Sequence, residues 1–218
     1  MVLPLVAAAV CVRLGIWQLS RLHQRRALNA RIAAVRALPP LELPAASPVD
    51  SLLQRRVRAH GVYDFAHERL WRPMEFEEQP GVDLVTPLVL PGGTGVLVDR
   101  GWVPSPDAYH VDQDLFREPD TAVVVGLALR APRGGGDVDP AQLRDSLPYP
   151  LLPMVVQMLP DSPAHRRGGP MRWPAPELSE GPHLSYTIQW FSFATIILVG
   201  SAAMYRKRQR EKRLAPTA

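Results

Sequence analysis

Gly181–Gly200 reads "GPHLSYTIQWFSFATIILVG", and "SAAMYRKRQREKR" follows it to Arg213. The stretch opens polar, turns apolar, and stays free of charge from Leu184 to Tyr205. At about 1.5 Å per helical residue it is long enough to cross ~30 Å of hydrocarbon. The basic run Arg206–Arg213 begins where the apolar run ends. A core helix of a soluble protein has no reason for so abrupt an edge, whereas a membrane helix with a cytoplasmic basic flank does. The reading is a transmembrane helix over 183–205 and a basic cytoplasmic tail over 206–218.

The other end of the chain is also apolar. "MVLPLVAAAVCVRLGIWQL" gives a first transmembrane helix over 2–22, interrupted by Arg13. A cleaved signal peptide fits poorly, because there is no basic leader and no clear small-residue cleavage site before a polar start. A lipoprotein cut before Cys11 would have Val10 as an awkward neighbour. The lack of basic residues before Arg13 suggests that the natural start lies upstream. Ala8, Cys11 and Gly15 share one face of this helix, and Gly200, Ser201, Ala202 and Ala203 thin the other, so both have surfaces suited to close helix pairing. Arg21, Arg25, Arg26 and Arg31 follow the first span and oppose the orientation set by the C-terminal cluster. The long intervening segment translocates largely regardless of charge, so the compact C-terminal cluster carries more weight.

Between the spans, residues 23–48 read as a helical extension and a proline-rich linker, "ALPPLELPAASP". Residues 49–182 hold short runs with strand character: "RRVRAHGVYDF", "ERLWRPMEF", "VDLVTPLVL", "GVLVDRGWVP", "TAVVVGLALR" and "LPMVVQMLP". Each is bounded by Gly, Pro or Asp. This pattern predicts antiparallel strands in a small barrel or sandwich. "LPGGTG" reads as a hairpin loop. Pro73 and Pro87 call for edges or bulges. "DAYHVDQDLF" has room for one short helical turn, "RAPRGGGDVDP" is a flexible excursion, and "HRRGGPMRWPAPELSEGP" is an irregular approach to the second span. The fold class is therefore an α+β membrane protein, two transmembrane helices flanking an extracytoplasmic, mainly antiparallel β domain.

Composition narrows function mostly by exclusion. The 218 residues carry a formal charge of +4, much of it in two clusters beside apolar runs, which argues for membrane flanks over nucleic acid. The single cysteine, Cys11, excludes an intrachain disulfide, a CxxCH haem attachment and a cysteine-pair metal clamp. There is no GxSxG, HExxH or GxxxxGK motif, and "GGTG" lacks the strand-then-helix context of a nucleotide loop. Asp99, His60 and His110 are candidate acid–base groups with nothing local to assemble them. For Asp99 and Arg100 a strand-end ion pair is the better reading, and His60, His67 and His165 read as exposed. His183 differs by position. At about 100° per residue it shares a stripe with Thr187, Trp190, Ala194, Ile197 and Ser201, with Tyr186 and Gln189 alongside. An imidazole there can ligate haem iron, or it can be an interfacial histidine with Tyr186 and Trp190 as belt aromatics. The residues alone favour the belt.

Taken in order, "LGIWQLSRLHQRR", "GVYDF", "VTPLVL", "VLVDRGWVP" and "HLSYTIQWF" resemble the Surfeit locus (SURF) family, assembly factors of haem–copper cytochrome oxidases. The likeness runs from Leu14 to about Tyr205. Gly15, Trp17, Gln18 and Arg21 match the first-helix motif, Arg25 stands where a lysine is common, and Tyr186 and Trp190 match the second. The resemblance implies a non-enzymatic assembly factor working on cytochrome c oxidase subunit I, with haem a synthase as a further partner. It also implies transient haem a binding, with His183 at the iron. The other binding residues would be Tyr186, Trp190, Trp17, Gln18 and Arg21, with Arg13 or Arg21 pairing with a propionate. The implied location is a bacterial-type inner membrane, crossed more than once, or the mitochondrial inner membrane in a eukaryote. Two alternatives stay open: a scaffold for subunit I that touches no haem, and a membrane-anchored extracytoplasmic enzyme.

Overall fold

The computed structural model describes residues 2–44, 48–131, 138–143, 145–163 and 168–214, without the Lys212 side chain. His165 and much of "RAPRGGGDVDP" lie outside the described residues. The chain forms two compact units. A helical unit takes the chain up to Ala33 and again from Leu178, and a strand unit takes Ala34–Glu177.

Seven strands build the strand unit: β1 (Leu41–Leu43), β2 (Arg56–Tyr63), β3 (Arg69–Phe76), β4 (Gln79–Val89), β5 (Gly95–Pro104), β6 (Thr121–Arg130) and β7 (Leu151–Met158). The order β1-β2-β6-β7-β5-β4-β3, with an added β2–β4 pairing, closes β2, β6, β7, β5 and β4 into a barrel. Of the two architectures that short alternating strands allow, this is the barrel. Pairing is antiparallel except β1 with β2 and β5 with β7. Strand β1 falls within the proline-rich stretch read as a linker.

The barrel core follows from side-chain alternation. In β2, Val57, Ala59 and Tyr63 point inward and are buried, while Arg58, His60 and Val62 point out. They meet Leu88, Val96, Val98, Val124, Val156 and Met158 inside the barrel. Strands β4 and β5 are buried along nearly their whole length, because two further clusters cover them, one on the outer face and one continuing the inner face beyond Leu88. One packs Val85, Leu97 and Val155 under Val138 and Leu143, and the other packs Val82, Leu84 and Val103 under Phe116 and Val111. Strands buried on both faces read as continuous apolar runs, which explains "VDLVTPLVL".

The prolines sit where the ladder tolerates a missing N–H. Pro73 lies in edge strand β3, at a register shift between Trp71 and Met74. Pro87 lies in the gap on one side of β4 between the last β3 pair, Arg69 with Val85, and the β2 pair of Tyr63 with Leu88. "LPGGTG" turns the β4–β5 hairpin, with Leu90 N–H donating to Thr94 O at 2.9 Å. "DAYHVDQDLF" holds a 3₁₀ turn at Gln113–Phe116.

The helical unit is an antiparallel pair. Helix α1 covers Val2–Arg36, its last turn entering the strand unit, and the second long helix covers His183–Leu214. The short α2 (Val49–Leu52) and α3 (Pro140–Leu143) belong to the strand unit, so the second long helix is α4. Both long helices are long and apolar enough to cross a membrane. They leave large apolar side chains bare, for example Leu3 at 80% and Ile196 at 66% exposed. Two such surfaces beside one thin contact suit hydrocarbon as solvent.

Candidate functional site

The contacts that pair α1 with α4 and with the segment just before it run in antiparallel order along the chain. Asn29 donates to the carbonyls of Leu178 and Ser179 at 2.9 and 3.2 Å. Arg26 makes a two-pronged ion pair with Glu180 at 2.9 and 3.0 Å. Gln18 then meets His183, and Gly15 meets Phe191, where an added Cβ would lie 3.0 Å from the ring. Ala8, Cys11, Gly15 and Leu22 are the buried residues of α1. On α4, Gly200 takes no part in the contact, having open space around it, while Ser201 of the same small-residue group is half-buried. Thr187 and Ala194 are buried. They lie on the stripe of His183, Trp190, Ile197 and Ser201, which are half-buried, while every other residue from Leu184 to Tyr205 is exposed.

His183 is the first residue of α4. Gly181 turns the chain with φ +70°, and Ser179 Oγ accepts the Gly181 N–H at 3.0 Å. The helix then starts on the Pro182 carbonyl, which accepts the Tyr186 N–H at 3.1 Å. Here His183 Nδ1 donates to Gln18 Oε1 at 2.8 Å. An amide oxygen only accepts, so Nδ1 carries a proton and Nε2 is the nitrogen left facing away from Gln18. Trp190, two turns along the same stripe, packs edge-on against Phe193 at 5.9 Å, and Tyr186 is exposed beside it. Arg21, one turn beyond Gln18, donates to Gln24 Oε1 at 3.0 Å. Of the six residues singled out by resemblance, the structure joins Gln18 and His183 directly and sets Trp190, Tyr186 and Arg21 on nearby faces of the pair. Trp17 points outward, 54% exposed, and lines a separate groove with Arg13.

The strand unit holds a buried charge network that the motifs do not announce. Arg100, fully buried on β5, donates to Glu68 Oε2 at 2.6 Å and Glu118 Oε2 at 2.9 Å, and also to the Phe116 carbonyl. Arg172 pairs with the other oxygen of Glu118. Burial lowers the Arg172 pKa, against the attraction of Glu118. The expected ion pair between Asp99 and Arg100 is not made. Neighbours on one strand face opposite sides, and Asp99 accepts the Gly101 N–H at 2.9 Å.

Asp99 shares its side of the sheet with Asp83. Burial pushes Asp83 up to about 6, opposed by the Trp173 indole that donates to it at 2.7 Å. Burial, then the Asp83 charge, raises Asp99 well above the carboxylate range. The sequence signal for this cluster was charge inside apolar runs, at Asp83, Asp99 and Arg100. The partners Glu68, Glu118, Arg172 and Trp173 gave no such signal.

The acid–base candidates do not converge among the described residues. His60 points outward from β2, Asp99 is buried, and His110 sits on an exposed turn against Asp107. Ser105 Oγ donates to the His110 carbonyl at 3.1 Å and not to its ring, so Ser105, Asp107 and His110 form no relay. No group of three or more His, Cys, Asp or Glu able to hold a metal ion occurs among the described residues.

A closed β-barrel that lies in the chain order between two helices long and apolar enough to cross a membrane, with a histidine at the head of the second, defines the class. A sequence model of the SURF1 family matches residues 5–195, and the chain belongs to that family. It is 29% identical to an uncharacterized SURF1-like protein of Mycobacterium bovis (strain ATCC BAA-935 / AF2122/97), over 93% of this chain and 82% of that one. The same figures hold for uncharacterized SURF1-like proteins of Mycobacterium tuberculosis strains CDC 1551 and H37Rv.

Proposed function

We propose that this protein assists assembly of a haem–copper cytochrome c oxidase, holding haem a on its way to subunit I. The observation that carries the reading is the 2.8 Å contact of His183 Nδ1 with Gln18 Oε1. It fixes the ring from the first long helix and leaves Nε2 as an oriented nitrogen for a ligand. A hydrogen-bond partner on the far nitrogen is how ligand histidines are held in place. The donor set fits haem: one nitrogen for iron, an apolar and aromatic flank from Tyr186 and Trp190 for a ring, and Arg21 for a propionate. When bound, haem a supplies the iron centre that the oxidase needs. The chain orients the imidazole, shields one ring face and releases its cargo easily, since a single ligand holds weakly. The protein acts without catalysing a reaction of its own.

Both long helices cross the membrane in this reading. The basic end of α4 is cytoplasmic, and His183 with the barrel lies on the other side of a bacterial-type inner membrane. Subunit I is the receiving partner and haem a synthase the supplying one.

The test is the absorption spectrum of the full chain purified from cells that make haem a. Wild type is expected to co-purify with haem a, and His183→Ala to lose at least about ten-fold of the haem. Gln18→Leu should lose several-fold, and Gln18→Glu, which still accepts from Nδ1, should retain it. Haem occupancy and spectrum unchanged in His183→Ala would sink the ligand assignment. A haem-free wild type that still binds subunit I would favour the scaffold reading.

A further inference from the structure

On the opposite flank of the helix pair from His183, α1 and α4 enclose a groove of about 850 Å³. It runs along α1 from Leu5 to Ser20 and takes one wall residue, Leu198, from α4. Its floor is small, Ala8 and Ala9, and its surface is apolar but for Ser20 at one end and Arg13 in the middle. Arg13 is exposed and, among the described residues, makes no hydrogen bond or ion pair. It stands about 140° around α1 from Gln18, so it does not share the His183 site.

Its depth makes the unpaired charge informative. Gly15 packs on Phe191, and Leu5 and Ala8 share the groove with Leu198. Arg13 therefore lies at a level between Phe191 and Leu198, which bracket the midpoint of the uncharged run Leu184–Tyr205. The Cα–Cβ bond tilts toward the helix N-terminus, which leads away from the nearer, His183 end. A lone guanidinium at that depth is costly, and intramembrane cations are kept where they meet an acceptor.

We propose that this groove docks a transmembrane helix of another membrane protein, one that carries an Asp or Glu at mid-depth to pair with Arg13. The length favours a helix: about 22 Å of groove separates Leu5 from Ser20. Ala8 and Ala9 let a backbone approach closely. Lipid tails offer Arg13 no acceptor, and headgroups lie about 15 Å from the midplane. A second copy of this chain, paired through the same groove, would set Arg13 against Arg13. The inference rests on the membrane reading and not on haem binding.

The test is photocrosslinking of the full chain in the membranes of cells that normally produce it, with a benzophenone side chain at Ala9. The expected product is a crosslink to a transmembrane segment bearing Asp or Glu. Arg13→Gln and Arg13→Glu should lower its yield at least about ten-fold, and Arg13→Lys should largely keep it. Exchanging that acidic residue for Arg should restore the crosslink to Arg13→Glu. Crosslinks only to lipid, only to a second copy, to a segment without an acidic residue, or none at all would overturn the proposal. So would an unchanged yield in Arg13→Gln. The neutral Arg13→Gln is easier to insert than wild type, so it decides the matter should Arg13→Glu fail to accumulate. His183→Ala should leave the crosslink unchanged.

Discussion

Asp83 illustrates how one buried side chain makes stability depend on pH. Its pKa rises from 3.8 to about 6 on folding, so the folded state holds the proton more tightly than the unfolded chain. The stability gained from that proton is complete below about pH 4 and is lost as pH rises through about 6, an effect of order 2–3 kcal/mol. Asp83→Asn is neutral at every pH and still offers Oδ1 to the Trp173 indole. The variant is expected to show a flatter denaturation midpoint between pH 4 and 6 than wild type, followed by tryptophan fluorescence of the full chain. A wild-type midpoint that does not fall across this window would contradict the assignment. His183 shows a different residue-scale dependence, on a distant partner. Its chemistry is set by Gln18, a residue 165 positions away, which no local motif announces.

At the scale of elements, the segment Met171–Pro174 is a strap fastened across the barrel wall. Met171 exchanges two backbone hydrogen bonds with Trp102, each 2.8 Å, and Gln157 donates to the carbonyls of Trp173 and Pro174 at 3.2 and 2.9 Å. Arg172 and Trp173 reach in to Glu118 and Asp83. The strap lies flat because Gly101 has φ +108°, and a Cβ there would run into the Met171 carbonyl. Gly101→Ala must both strain the backbone and lift the strap, a loss expected at about 2–4 kcal/mol in equilibrium denaturation. The buried cation beneath it makes a stronger test. Arg100→Met leaves Glu68 and Glu118 with fewer partners and is expected to cost about 3–5 kcal/mol. A loss under about 1 kcal/mol for Arg100→Met would show that the network is not holding β5 to its neighbours.

For the whole molecule, the decisive property is that the chain carries one long apolar helix before the barrel sequence and one after it. If both cross the membrane, alkaline carbonate should leave the chain in the membrane pellet. A cysteine placed at Ser179 should react with an impermeant maleimide from outside intact cells, and one placed at Gln209 should react only after the membrane is opened. Equal labelling of the two from outside would refute the orientation set by the basic tail.

Much of this architecture was legible in the sequence because it rests on local patterns. The uncharged run from Leu184 to Tyr205, the apolar N-terminus and the six strand runs each carry their own periodicity, and hydrophobic burial turns those periods into helices and strands. The stripe of α4 that ends up half-buried follows from helical geometry alone. Tertiary structure decided what depends on residues far apart in sequence. It chose a barrel over a sandwich through the pairing of β2 with β4, and it gave Arg100 the distant carboxylates of Glu68 and Glu118 in place of adjacent Asp99. It also paired His183 with Gln18 on one flank of the helices while leaving Arg13 bare on the other. The physical reason is that periodicity fixes which face of an element is apolar, whereas only the packed fold fixes which distant groups a buried charge or an oriented histidine can reach.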